Sequence, residues 1–473
     1  MGVRATIVTL GMGLLALVGA VLPVAGARES KTARASTPWA VRGNWKAGEV
    51  HGAFEIVQSL DAAAPPGAPR GIVTARACAA RGSHMHKGLL VAIGLSIAGC
   101  TAAPPASPAV VWPTKNWVVS TPQAEGLDAT PLATLDREFA TGAHGQVTGL
   151  LVTRRGRVVF ERQYIHDFDR LFEGRDPRRG AYNYYDPDWH PYYQHGRLHT
   201  MQSVSKSVTS ALVGIAIGRG ELPPVSTKVM PLFAAFRQPP PDPRRDAMTL
   251  EHVLTMTTGI QWDESTVTYT DPANSCAGME KSPDWIQFVL DQPMADAPGT
   301  RFVYNSGATE LLSQLIRQGT GTHAHEYAAE QLFAPLGITD TYWKTTPTGL
   351  ADTEGGLYLT ARDLAKIGYL YLRDGVWEGR RLLPEGWVAK STTPLVDTRP
   401  GQARSRKYGY QWWVLPTATG TTTAYAALGY GGQRLIVVPE LELVAVVTGW
   451  NIYDHPEVAA NTVLDRLLEA VRD

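Results

Sequence analysis

Cysteine is nearly absent: 473 residues contain three, at Cys78, Cys100 and Cys276. Three cysteines supply neither a disulfide framework nor a paired-cysteine metal spacing. An excess of charge is missing too, because 44 Lys and Arg balance 44 Asp and Glu. Nothing in that balance points to nucleic acid or to an acidic surface as a partner. No apolar run has both the length and the flanks of a membrane span. No internal repeat follows residue 112. What remains is a chain long enough to bury a large core.

The first hundred residues differ from the rest. ATIVTLGMGLLALVGAVLPVAGA follows MGVR, giving a basic start, an apolar run and a small-residue ending at Ala27. That is the pattern of a secretory signal. A second run, MHKGLLVAIGLSIAGC, ends in Ile97-Ala98-Gly99-Cys100. This ending resembles the lipobox of bacterial lipoproteins, in which the cysteine is lipidated and becomes the mature N-terminus. The plainer alternative is that Cys100 ends an ordinary signal. Met85 is a second candidate start, which would make 1–84 an over-extended reading frame. Residues 1–99 therefore read as an export region with a second signal at 85–99, followed by an Ala/Pro tether to 112 and a domain over 113–473. The expectation is an exported, periplasmic protein whose membrane contact is a lipid anchor at Cys100.

Within the domain, PLATLDREFATG (131–142) predicts an amphipathic helix, and VTGLLVTRRGRVVFERQY (147–164) predicts two strands around an Arg-Gly turn. A long loop, 165–199, carries Tyr182, Tyr184, Tyr185, Trp189, Tyr192 and Tyr193. They could roof a cleft or simply pack beneath the loop. Helical patterns dominate from 203 to about 335, and TTAYAALGY, QRLIVVP and LELVAVVTGW return to strands before a closing helix. The expectation is an α+β fold: an antiparallel sheet of five or more strands, flanked by helices and built from both ends of the domain. The sheet lobe would take about 113–200 and 345–473, and a mainly helical lobe about 201–344. A site would lie between them.

Three stretches carry candidate chemistry. In TMQSVSKSVTSALVG, Ser203 and Lys206 stand three apart at the head of an apolar helix, so they share a face. The helix N-terminus favours a serine alkoxide. Burial and positive potential would lower the lysine pKa and let it take the serine proton. Alone, such a pair is more often a capping serine and a surface lysine, and context has to lift it. In RFVYNSGATELL, Tyr304 could act as base or relay if cations favoured its phenolate; otherwise it is a buried tyrosine, with Asn305 or Ser306 capping a helix. In ALGYGGQRLIVVP, glycines precede a strand and could bring backbone N–H groups to an oxyanion, or could simply form a hairpin turn.

Taken together, in this order and spacing, the three resemble the serine β-lactamase and penicillin-binding-protein superfamily, in its class C-like branch of esterases and aminohexanoate-oligomer hydrolases. TLEHVLTMTTGIQWDE (249–264), GGLYLTARDLAKIGYLYLRDGVWEGRRLLPEGWV (355–388) and YGYQWWV are similar to segments of that family. The resemblance implies Ser203 as nucleophile and acyl-enzyme, Lys206 as its proton partner, and Tyr304 as base or relay toward the leaving group. It implies an oxyanion hole from the backbone of Ser203 and Gln433, with no metal and no organic cofactor. Asn305, Ser306, Tyr430, Gly431, Gly432 and Trp262 are expected to line the substrate, a small ester or amide.

Two departures shape the substrate. Ser306 stands where the β-lactamase Tyr-x-Asn pattern has Asn, and Tyr430 stands where β-lactamases have a carboxylate-holding Lys. Both favour a neutral ester or aminohexanoate-type amide over a β-lactam. Arg434 could replace the charge unless it faces away. Asp263 and Glu264 could border the cleft without a catalytic part. Cys276, in a polar stretch, has nothing nearby to make it reactive. The rival readings are a binding or sensor domain on the same fold, acylated without turnover, and a D-amino-acid or cell-wall peptidase.

Overall fold

Arg155 and Gly156 turn the first hairpin, with φ of 51° and 77°. Two successive positive φ values match the twist of a tight antiparallel pair. The computed structural model describes residues 110–165, 198–269, 271–402, 405–417, 420, 422–451 and 458–472. Both N-terminal apolar runs, Cys100, and the aromatic set from Tyr182 to Tyr193 lie outside these residues.

The elements that place the site are, in chain order, β1 (Val118–Val119), α1 (Ala129–Ala140), β2 (Val147–Arg154), β3 (Arg157–Gln163), α2 (Val204–Gly218), α3 (Ser275–Glu280), α4 (Ser306–Thr320) and α5 (Ala361–Leu372). They continue with β4 (Val396–Asp397), β5 (Lys407–Tyr408), β6 (Trp413–Leu415), β7 (Ala424–Gly429), β8 (Gln433–Val438), β9 (Leu443–Gly449) and α6 (Ala460–Ala470). The strands form one sheet in the order β1-β3-β2-β9-β8-β7-β6-β5-β4. Every pairing is antiparallel except β1 with β3. β2 pairs directly with β9, so the early hairpin and the late strands meet as the sequence pattern predicts.

Alternation along β8 shows how the sheet is covered. Leu435 and Val437 face the core that holds Ile367 and Leu370 of α5. Ile436 and Val438 face the core that holds Leu132 and Phe139 of α1 and Leu464 and Leu467 of α6. Period-two alternation between two apolar cores is what a sheet covered on both sides requires. Gly368 lets α5 lie flush on the sheet: a Cβ there would sit 2.7 Å from Leu435 and from Val444.

α2 is buried on all sides from Val204 to Ala216, and its polar residues Lys206, Ser207 and Thr209 are hydrogen-bonded inside the core. It packs against α4 and β7. A short strand, His199–Thr200, leads into it and pairs with Leu357–Leu359. That pairing brings residues 354–357 against the start of α2: Met201 N–H donates to Leu357 O at 2.8 Å, and Leu357 N–H to Ser205 Oγ at 3.2 Å.

Candidate active site

Strand, turn and helix meet at Ser203. Gln202, just before it, has φ 48°, the left-handed region that non-glycine residues enter at a cost. The turn leaves Ser203 half-buried as the N-cap of the fifteen-residue α2, with its hydroxyl on a small cavity of about 210 Å³.

Lys206 is 1% exposed. Its Nζ donates to Ser203 Oγ at 3.0 Å, to the backbone O of Glu354 at 2.8 Å and to Glu354 Oε2 at 3.0 Å. The helix spacing predicted the first contact. The other two come from a residue 148 positions away and correct the expectation of a lowered lysine pKa. Burial pulls the ammonium down, but coupling to the acidic groups around it, Tyr304, Glu354, Glu264 and Cys276, outweighs burial and holds Lys206 well above its ordinary value. Lys206 is therefore a buried cation, and its surroundings are acidic where the sequence pattern suggested neutral or positive.

Tyr304 lies over the lysine, with Nζ 5.2 Å from its ring centroid, and stacks on Trp413 at 5.7 Å. Burial raises its pKa; the Lys206 charge and a hydrogen bond with Ser203 pull it back without reversing the shift. The phenol stays protonated, contrary to the phenolate a cationic site would favour. Ser203, Lys206 and Tyr304 are thus brought together.

The other expected lining residues separate. Asn305 is buried, and its side chain accepts from Ala308 N–H at 2.8 Å, so it caps α4. Ser306 is buried behind the cavity, donating from N–H and Oγ to Glu264 at 2.9 and 2.8 Å. Glu264 also accepts from Trp262 Nε1 at 2.6 Å. It is 3% exposed, and burial raises its pKa. Cys276 lies on α3, fully buried, with Sγ 3.8 Å from Glu354 Oε1. It is no part of a polar surface, and burial pushes its thiol pKa up.

The segment expected to supply the oxyanion hole is the β7–β8 hairpin. Gln433 is buried, and its side chain ties the β8–β9 edge, donating to Gly449 O at 2.6 Å and accepting from Gly449 N–H at 3.1 Å. Gly431 and Gly432 make the hairpin turn, with φ 81° and 100°. Leu428, Gly429 and Tyr430 line the cavity with Ser203. Among the described residues, β6 pairs with residues 424–426 of β7 and stops short of 427–429, the end that reaches the cavity. Gly429 allows this approach, since a Cβ would meet Met201 O at 2.5 Å. Arg434 also borders the cavity, and its guanidinium donates to Gly429 O, Gln433 O and Val458 O.

A larger cavity of about 980 Å³ adjoins the first, and the two share Tyr269, Tyr304, Arg406 and Trp413. Trp262, Asp263, Glu264, Arg301, Phe302 and Arg399 also border the larger one. Cys276, Glu280 and Glu354 bring a thiol and two carboxylate oxygens within 4.8 Å of one another. The cation that Glu354 meets there is the Lys206 ammonium.

The family model described as Beta-lactamase matches residues 135–468. The chain is 28% identical over 273 residues to 6-aminohexanoate-dimer hydrolase of Paenarthrobacter ureafaciens, covering 53% of this chain and 66% of that protein. It spans 54% of a second relative, from Alkalihalophilus pseudofirmus, at 26% identity. Among solved structures, EstCE1, a hydrolase with promiscuous acyltransferase activity, aligns with TM-score 0.54 at 16% identity, over 73% of this chain and 99% of its own. The octameric penicillin-binding protein homologue from Pyrococcus abyssi aligns with TM-score 0.52 at 18% identity, over 72% and 77%.

Proposed function

The chain belongs to the beta-lactamase family, and from that premise we propose that it is a serine hydrolase cleaving an ester or amide through an acyl-enzyme on Ser203. The contact that carries this reading is Lys206 Nζ at 3.0 Å from Ser203 Oγ, at the edge of an open cavity. A surface lysine after a capping serine would be solvated; this one is buried and aimed at the hydroxyl.

Ser203 attacks the carbonyl while the α2 N-terminus and the edge of β7 stabilise the oxyanion. Tyr304, kept as a phenol, passes a proton to the departing oxygen or nitrogen. Because Tyr304 also borders the larger cavity, the leaving group extends there. That cavity offers room and aromatic walls for an extended leaving group, as in an aryl ester or a linear amide. The name of the Paenarthrobacter relative, a hydrolase of the 6-aminohexanoate dimer, is consistent with a linear amide. Tyr430 in place of a lysine favours a neutral bond over a β-lactam.

The test is turnover of phenyl butyrate and of a 6-aminohexanoate dimer by the full chain and by Ser203→Ala. Hydrolysis of either, lost by at least about three orders of magnitude in Ser203→Ala, supports the reading. Equal rates for both proteins would refute it.

A further inference from the structure

Lys206 has three N–H donors as an ammonium, and the structure gives each an acceptor: Ser203 Oγ, Glu354 O and Glu354 Oε2. In that state the nitrogen has no lone pair for the serine proton. It must first give a proton to one of its three acceptors. A serine hydroxyl and a backbone carbonyl do not take a proton at neutral pH; a carboxylate does. We propose that Glu354 is a positioning residue that stores the Lys206 proton, the end of a chain running Ser203 Oγ, Lys206 Nζ, Glu354 Oε2. This rests on the hydrolase reading above and adds a member that the sequence motifs do not contain.

The steps balance. Lys206 passes a proton to Glu354, leaving an amine and a carboxylic acid. Ser203 Oγ bonds to the substrate carbonyl carbon as its proton moves to Nζ. The tetrahedral oxyanion collapses, the bond to the leaving group breaks, and the Nζ proton reaches that group by way of the Tyr304 hydroxyl. Water then attacks the acyl-enzyme, giving a proton to Nζ, and Ser203 Oγ takes that proton as it departs. Glu354 finally returns its proton to Lys206. The net change is water plus ester or amide to acid plus alcohol or amine.

The surroundings concentrate negative charge on Glu354. It is faced by Lys206 of α2, Cys276 and Glu280 of α3, and Ser306 and Glu310 of α4. Glu264, Tyr269 and Tyr304 border it from the cleft side, and Lys344 and Asp352 from its own flank. Burial pushes Glu264, Glu280, Glu310 and Asp352 up. Burial works against Glu354 as well, but the Lys206 charge and hydrogen bond bring it below its ordinary value. Glu310 helps fix its position by accepting from Glu354 N–H at 2.8 Å.

The experiment is the pH profile of kcat/KM for phenyl butyrate, from about pH 3.5 to about pH 10, on the full chain, Glu354→Gln and Glu354→Asp. The rate requires an ionised Glu354, so the wild-type rate falls only as pH drops through a carboxylate pKa held below the ordinary glutamate value by Lys206. Glu354→Gln cannot store the proton. Its rate at neutral pH falls by about 10²-fold or more, and its acid limb moves upward by more than about one unit, with recovery as Lys206 loses its proton to solvent. Glu354→Asp keeps the low limb at reduced rate, and serves if Glu354→Gln does not fold. A residue that only holds the fold would lower the rate without moving the limb, and that result in Glu354→Gln overturns the proposal. A wild-type limb above neutrality overturns it without any variant. A wild type that turns over no ester overturns the hydrolase reading and this proposal with it.

Discussion

At the scale of single residues, the site depends on a buried ion pair. Taking Lys206 away leaves Glu354 charged and unpaired in a dry interior, which costs about 3–5 kcal/mol. Lys206→Met should therefore unfold at markedly lower urea than the parent as well as being inactive. Adding Glu354→Leu should recover much of that stability and none of the activity. Equal stability of the two variants would contradict the pairing. Ser203, Lys206 and Tyr304 were singled out by the resemblance of three motifs in order; local spacing put Ser203 and Lys206 on one helix face but did not by itself separate them from a cap and a surface lysine. Glu354 was not legible: it reaches Lys206 across 148 residues through a short strand pairing, and no spacing rule crosses such a gap. The lysine pKa was misjudged for the same reason, since its direction depends on Tyr304, Glu354 and Glu264, all distant in the chain.

At the scale of elements, one residue expected to touch substrate holds a helix end instead. Asn305 caps α4, so Asn305→Ala should cost about 1 kcal/mol in chemical unfolding. Its KM for phenyl butyrate should match the parent; a raised KM would return Asn305 to the substrate wall. The end of β7 carries the opposite expectation. Gly429→Ala places a methyl group 2.5 Å from Met201 O, beside the turn that holds Ser203. Backbone has to move, and a displacement near 1 Å costs about 10² in kcat. Steady-state kinetics should show that loss with KM nearly unchanged, and an unchanged kcat would mean that this edge does not serve the oxyanion. Glycine spacing showed that a tight turn precedes β8, but which of its backbone groups face the serine depends on where β6 ends. Pattern alone could not supply that.

At the scale of the molecule, the two ends of the domain build one sheet, and α2 packs against β7. The sheet followed from period-two strands early and late around a helical block; the place of α2 against β7 did not. The alternation of β8 between two cores reflects helices on both faces; the sequence pattern predicted a sheet flanked by helices without assigning them to faces. The two adjoining cavities could not be read from the sequence, because residues as distant as Trp262, Tyr304, Arg406 and Trp413 build them. The paired cavities predict a preference: phenyl esters and linear amides should be turned over with higher kcat/KM than a chromogenic cephalosporin. The reverse order would place the enzyme among true β-lactamases.

The most direct measurement of the central claim is to treat the full chain with a fluorophosphonate at neutral pH and locate the adduct by peptide mass spectrometry. The account predicts one adduct, on Ser203, absent in Ser203→Ala and slowed in Glu354→Gln. A well-folded chain that takes no label, or takes it on another serine, would contradict the account.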